Sequence, residues 1–261
     1  MSVFIERHKV WNELDQDWDI LIIGGGITGA GIFRLAVNEG YKTLLVEGCD
    51  FASGTSSRSS KLIHGGFRYL RNRQFDVTRE SVRERERWLK EARHLITPLG
   101  FLMPCPEDAK LARQYGFGVV LYDLLAPKWQ HTRLSREKLL QLCPPLRSEH
   151  LQSGYLYYDA VMDDSAVVFR LLREATIKGG TALNYTLATR LLRDPIGDIA
   201  GAVIEDQSDL RLGSQKIRAR VVINATGPWS DELRSQVGAP ARMRKLRGSH
   251  LVFPRERVNL S

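Results

Sequence analysis

Apolar positions along the chain recur with two different periods. Ile20-Leu-Ile-Ile23 is a short unbroken apolar run ending at Gly24-Gly25-Gly26, which predicts a buried strand entering a turn. From Ile27 to Glu39, Ile32, Leu35 and Ala36 fall at helical spacing and Gly40 stands at the C-terminal end, so a helix is expected there. A second apolar run, Thr43-Leu-Leu-Val46 within Lys42 to Glu47, predicts a second parallel strand and completes a βαβ unit over Asp19 to Glu47. Phe75 to Ile96 reads as a charged helix, because Phe75, Val82, Leu89, Ala92 and Ile96 lie at steps of seven, three or four. Glu86 and Lys90 are a favourably ordered pair on it. Arg83, Arg85, Arg87 and Arg93 alternate with acids, as a solvated helix face does, so this is not read as a nucleic-acid patch.

The pattern then loosens. Pro98, Pro104, Pro106, Pro127, Pro144 and Pro145 punctuate short apolar runs, and an irregular region opening a second domain is expected. Tyr155 to Tyr158 predicts a short strand. Asp163 or Asp164 is placed to cap a helix over Ser165 to Lys178, ended by Gly179-Gly180. After a strand at Thr181 to Tyr185, Leu187 to Leu192 and Ile199 to Ile204 flank Asp194-Pro-Ile-Gly-Asp198, which predicts a hairpin. Gln215 to Arg218 adds a third short strand. Val221 to Ala225 predicts a buried strand delivering a further glycine turn, Thr226-Gly227-Pro-Trp229, to the ligand-binding end of the same sheet.

The fold class expected is α/β, a Rossmann-like dinucleotide-binding domain over 17–92 and 151–235, with part of a second, antiparallel-sheet domain over 93–150 and 236–261. Composition adds little: 261 residues, 43% hydrophobic and 26% charged, are ordinary for a globular chain. The net charge of +8 suits nucleic acid, an anionic membrane face or acidic small substrates, and does not choose among them. Cys49, Cys105 and Cys143 are too few and too far apart for a disulfide framework or a zinc site, which fits a reducing compartment. No apolar run approaches a membrane span and Met1 to Val10 lacks a signal-peptide core. A cytoplasmic location is expected, with attachment at the inner face of the cytoplasmic membrane left open.

The chemistry begins at the first turn. Gly24 permits a tight turn, Gly26 lets backbone approach a pyrophosphate, and Gly29 lets the new helix pack closely on the strand. Glu47, about 20 residues further on, is placed to accept from a ribose hydroxyl. Residues 51–70 follow, rich in hydroxyls at Thr55, Ser56, Ser57, Ser59 and Ser60, with Lys61, His64, Arg68 and Tyr69 bringing cations and proton carriers. A serine and glycine loop capping its own backbone is the alternative reading.

Six stretches carry a family resemblance: IIGGGITGAG (Ile22 to Gly31), TLLVEGCDFASGTSSRSSKLIHGGFRYL (Thr43 to Leu70), RERE (Arg83 to Glu86), MDD (Met162 to Asp164), NATGPW (Asn224 to Trp229) and RGSHLVFPR (Arg247 to Arg255). The chain resembles the N-terminal half of the FAD-dependent, quinone-linked glycerol-3-phosphate dehydrogenases, within the wider glycine-oxidase-like and D-amino-acid-oxidase-like flavoproteins. The first and fifth stretches are shared by many flavoproteins, whereas TSSRSSKLIHGGFRYL is specific. The resemblance implies a glutathione-reductase-like FAD domain and oxidation of sn-glycerol 3-phosphate to dihydroxyacetone phosphate, with hydride to flavin N5 and electrons on to quinone at the membrane.

It also implies roles. Arg68 would hold the phosphate through its fixed fork of donors, His64 would take the proton from the C2 hydroxyl, and Tyr69 would orient substrate or pack on the flavin. Contacts to FAD are expected from Gly24, Gly26, Ile27, Thr28 and Gly29; from Glu47, Thr55, Ser56, Ser57, Ser60, Lys61, Leu62, Ile63, His64 and Gly65; and from Thr226 and Gly227. His250 is read as structural, and no metal or nucleic acid is expected. Family members run to roughly twice this length, so an incomplete enzyme with weak FAD retention and little turnover is expected. An oxidase using oxygen, a relative acting on amines, an inactive FAD-binding module and a homo-oligomer stay open; a nicotinamide enzyme is disfavoured by the loop after Glu47.

Overall fold

The structure is a computed structural model and describes residues 7–66, 69–70, 72–125, 131–208 and 211–257. The chain divides into two compact units, one running up to Ser59 and from Asp164 to Arg247, the other from Ser60 to Asp163 and from Gly248 on. The division differs from the boundaries expected above: 60–92 and 151–163 group with the second unit, where 151–162 pairs with three strands and 75–91 packs on one of them, and 236–247 group with the first.

The first unit is built on a six-stranded sheet. In chain order its strands are β1 (Asp17–Ile23), β2 (Thr43–Val46), β7 (Thr181–Leu183), β8 (Thr186–Arg193), β9 (Ile199–Asp206) and β10 (Ser214–Asn224), and in space they run β7-β2-β1-β10-β9-β8. Helix α2 (Ile27–Asn38) joins β1 to β2, which are parallel as expected. The Asp194–Asp198 hairpin is present, with Gly197 at φ +96°.

Three details depart from the sequence reading. The two strands expected at Gln215–Arg218 and from Val221 are one strand, β10, antiparallel to β9 through Arg218 and parallel to β1 from Arg218 to Asn224. Val221 is exposed, so that strand is not buried throughout. Leu35 is also exposed; α2 buries Gly29, Ala30, Phe33, Ala36 and Val37 instead, a stripe whose small residues carry little hydrophobic signal.

Alternation along β1 and β2 gives the sheet two buried faces. Leu21, Ile23, Leu44 and Val46 share a core with Trp11, Leu14 and Trp18, while Ile22 and Leu45, of opposite parity, are fully buried on the face covered by α2. Trp11 arrives on a short helix, α1 (Arg7–Asn12), that the sequence reading did not foresee. Helix α6 (Asp164–Ile177) packs on α2, joined by Arg34–Glu174 at 2.8 Å.

Arg7 locks α1 to the far side of the sheet. Its guanidinium donates to Asp206 Oδ1 from Nε at 3.0 Å and Nη2 at 2.6 Å, and to the Asn184 and Tyr185 carbonyls. The Asp206 side chain is fully buried and also accepts from Ser208 and Leu212 N–H. Burial alone would raise its pKa; the Leu212 amide, Arg7 and Ser208 outweigh that and hold it below the usual carboxylate value.

The second unit holds an antiparallel four-stranded sheet. Its centre is β6 (Leu151–Met162), flanked by β4 (Ile96–Pro106) on one side and by β3 (Leu62–Ile63) and β5 (Thr132–Ser135) on the other. Helices α3 (Phe75–Glu91) and α4 (Ala109–Leu125) pack on β4, and α5 (Arg136–Leu142) on β6. The proline-rich stretch is therefore largely regular. Pro98, Pro104 and Pro106 lie in β4, whose only strand partner among the described residues is β6, and an edge strand tolerates proline because the missing N–H can face away from the neighbour. The chain enters and leaves this unit side by side: Ser59 Oγ donates to Asp164 Oδ2 at 2.7 Å, and Met162 N–H donates to the Lys61 carbonyl at 2.8 Å.

Arg7→Met should destabilise the protein by about 3 kcal/mol, because it leaves a buried carboxylate unpaired, as read by urea unfolding at pH 7. In the wild type the depressed Asp206 pKa contributes stability that is present above its unfolded value of about 3.9 and is lost as pH falls through the folded one. An acid titration of stability should show that loss, and the Arg7→Met curve should be flatter in the same range.

Candidate functional site

Three backbone segments meet at the C-terminal ends of β1, β2 and β10. Gly24 has φ +116°, and a Cβ there would lie 2.4 Å from the Ala225 carbonyl oxygen. A Cβ on Gly29 would lie 1.8 Å from the Gly24 carbonyl oxygen, and one on Gly26 would lie 3.1 Å from Ser56 Oγ. Both of the first two obstacles are backbone and cannot move aside. Gly26 stands at the N-terminus of α2 without a side-chain cap of its own.

The helix start is finished by its surroundings. Ser56, in the short 3₁₀ turn Thr55–Ser57, accepts from Ile27 N–H at 2.9 Å. Glu47, just past β2, accepts from Gly25 N–H at 2.7 Å through Oε2 and from Cys49 N–H at 2.9 Å through Oε1. Among the described residues, the amides of Gly26, Thr28 and Gly29 have no protein acceptor. Together with the positive end of the helix dipole they form an anion cradle. The residues thus fit a dinucleotide's pyrophosphate, with Glu47 held next to the turn.

The second turn closes the same end of the sheet. Asn224 Oδ1 accepts from Thr226 Oγ1 at 2.7 Å, Gly227 has φ +56°, and Trp229 lies against Gly54. Thr55 and Gly227 are exposed, while Ser57 and Thr226 are half-buried. The first unit therefore brings together Gly24, Gly26, Ile27, Thr28, Gly29, Glu47, Thr55, Ser56, Ser57, Thr226 and Gly227.

Ser60, Lys61, Leu62, Ile63, His64, Gly65 and Tyr69 belong to the second unit. Arg68 lies outside the described residues. His64 is exposed, Tyr69 is half-buried, and their ring centroids are 6.2 Å apart. Gly66, at φ +77°, makes room for that ring: a Cβ there would lie 2.0 Å from Tyr69 Cδ2. Ser60 and Lys61 are exposed, and Lys61 has φ +58°, as unusual for a non-glycine residue as Ala52 at φ +60° on the other side of the serine loop. Such left-handed residues cost about 1–3 kcal/mol each and collect at functional segments.

A buried polar cluster beneath this loop escaped the sequence reading, which placed Arg85 on a solvated face. Arg85 is 2% exposed. It reaches Asp159, Tyr122 and the Tyr158 carbonyl, and Glu86 accepts from it at 3.1 Å rather than serving Lys90. Burial opposes the Arg85 charge, but the oxygens of Tyr122, Asp159 and Glu86 more than offset this and raise its pKa. Burial, the largest influence, pushes the Tyr122 phenol well up. The signal was present in sequence: Arg85 and Glu86 sit three and four residues past Val82, inside the apolar stripe.

Residues 19–260 match the model of the FAD dependent oxidoreductase family. The chain belongs to that family, and FAD is the cofactor that its glycine cradle fits. Among curated relatives, a glycerol-3-phosphate dehydrogenase of Mycobacterium leprae is 38% identical over 97% of this chain and 44% of its own length, and an alpha-glycerophosphate oxidase of Enterococcus casseliflavus is 38% identical over 93% of this chain and 41% of its own. The solved glycerol-3-phosphate dehydrogenase of Bacillus halodurans, complexed with FAD, superposes with a TM-score of 0.69 at 34% identity, covering 88% of this chain and 38% of that one. The chain spans about half the length of the curated relatives it matches.

Two glycines in one helix should respond in opposite directions. Gly29→Ala should cost about 3 kcal/mol through forced displacement of α2 and weaken FAD binding, whereas Gly31→Ala, with nothing within 4 Å of the added methyl, should stabilise by about 0.5 kcal/mol. Thermal unfolding and fluorimetric FAD titration of both variants read this out.

Proposed function

We propose that the chain is the FAD-binding part of a glycerol 3-phosphate-oxidising enzyme, converting that substrate to dihydroxyacetone phosphate and passing electrons to quinone. The observation carrying this reading is the loop TSSRSSKLIHGGFRYL, joined to an FAD cradle in a chain whose relatives bear the names glycerol-3-phosphate dehydrogenase and alpha-glycerophosphate oxidase. FAD, when bound, supplies the hydride acceptor. The remaining tasks fall to side chains. His64 accepts the C2 hydroxyl proton, being an exposed imidazole on a constrained loop; Arg68 fixes the phosphate through its guanidinium; Tyr69, beside His64, orients the substrate between them.

Among the described residues no helix is long and apolar enough to cross a membrane. Contact with the inner face of the cytoplasmic membrane would therefore be peripheral, supported by the +8 charge. Quinone rather than oxygen as acceptor rests on the family resemblance alone.

Anaerobic addition of glycerol 3-phosphate to the FAD-loaded chain should bleach the flavin absorbance, and glycerol should not. His64→Gln should retain FAD yet slow bleaching by about 10²-fold or more, the usual contribution of a proton-transfer group. Absence of bleaching in the wild type would favour an inactive FAD-binding module over an enzyme for this chain, and stoichiometric peroxide formation in air would replace quinone by oxygen.

A further inference from the structure

Asp159 Oδ1 is the meeting point of three parts of the second unit. It accepts from Gly65 N–H at 3.0 Å, Arg85 Nη1 at 2.5 Å and the Tyr122 hydroxyl at 2.5 Å. Arg85 Nη1 also donates to Tyr122 Oη at 2.8 Å. All three side chains are buried, with Arg85 at 2%, Tyr122 at 1% and Asp159 at 4% exposure.

Such a cluster is a poor way to gain stability. Desolvating an arginine and an aspartate cancels most of their attraction, and well-packed apolar residues would hold α3, α4 and β6 together as well. What apolar residues could not do is bind a backbone N–H. The amide gripped by Asp159 belongs to the peptide linking His64 to Gly65, two bonds from His64 Cα. Gly65 is pressed into the cluster as well: a Cβ there would lie 2.1 Å from Tyr122 Oη. His64 itself remains exposed, its ring centroid 6.2 Å from that of Tyr69.

We propose that Asp159, held by Arg85 and Tyr122, is the positioning residue for His64. The buried carboxylate fixes the His64–Gly65 peptide and thereby the direction in which the imidazole leaves the loop. Arg85 balances the carboxylate's charge, and the Tyr122 hydroxyl, donating to it, sets its rotamer. This rests on the proposed role of His64 as proton acceptor.

Removing Asp159 would strand a buried guanidinium, so the informative variant is Tyr122→Phe, which deletes the hydroxyl that donates to Asp159 and accepts from Arg85, and no charge. Glu86→Gln, which touches Arg85 but not Asp159, is the control. The full chain loaded with FAD is followed by amide exchange at Gly65, by the His64 ring resonance, and by exchange at Leu156 in the β4–β6 ladder. Tyr122→Phe should speed Gly65 exchange about tenfold, as one lost hydrogen bond implies, and shift the His64 resonance while Leu156 stays protected. Turnover of glycerol 3-phosphate should show kcat lowered severalfold with KM little changed, and Glu86→Gln should resemble wild type throughout. Unchanged Gly65 and His64 signals in Tyr122→Phe, or loss of Leu156 protection in step with Gly65, would overturn the inference, as would a moved resonance with an unmoved kcat. A wild type that does not turn over bears only on the activity proposed for this chain by itself, and the exchange and resonance measurements still decide the positioning role.

Discussion

Where β1 ends, backbone touches backbone with only hydrogen between. The Gly24 carbonyl occupies the space that a Gly29 side chain would need, and the Ala225 carbonyl occupies that of Gly24. This double contact aims the first turn of α2 and brings its unpaired amides to the same edge as Glu47 and the Thr226 turn. A methyl group at either position would have to displace main chain. The anion cradle at the start of α2 depends on this approach.

The second unit is organised by a different constraint, the cost of removing charge from water. Arg85 and Asp159 lie nearly free of solvent, and each must be compensated locally. Asp159 meets that demand with three donors on one oxygen, drawn from two helices and from the loop itself. Such an arrangement has little freedom to rearrange, because any departure leaves a buried ion short of a partner. The Gly65 amide is thereby tied to the electrostatics of the cluster.

Much of the first unit was legible because its signals are short-range and redundant. Ile20–Ile23, the three glycines, the helix and Glu47 each predict the others, and Asp194–Asp198 contains a turn in five residues. What failed did so for identifiable reasons. Gln215 to Asn224 was divided because β10 changes partner at Arg218, and a change of partner leaves no mark in a periodicity. The prolines of β4 concealed a long strand, since an edge position removes the penalty on which the reading relied. Arg85 and Glu86 were taken as surface charges because side-chain chemistry was allowed to outweigh their place in the apolar stripe. The positions of His64 and Gly65 on the loop were readable, but their support by Asp159, 94 residues away, was not.

The paired bonds Ser59–Asp164 and Met162–Lys61 have a consequence for chain entropy. They close a hundred-residue excursion at its neck, so the entropic penalty of returning to the sheet is set by a gap of a few ångströms and not by the contour of what lies between. Enlarging, trimming or exchanging the excursion would therefore change the second unit without obliging the first to reach any farther.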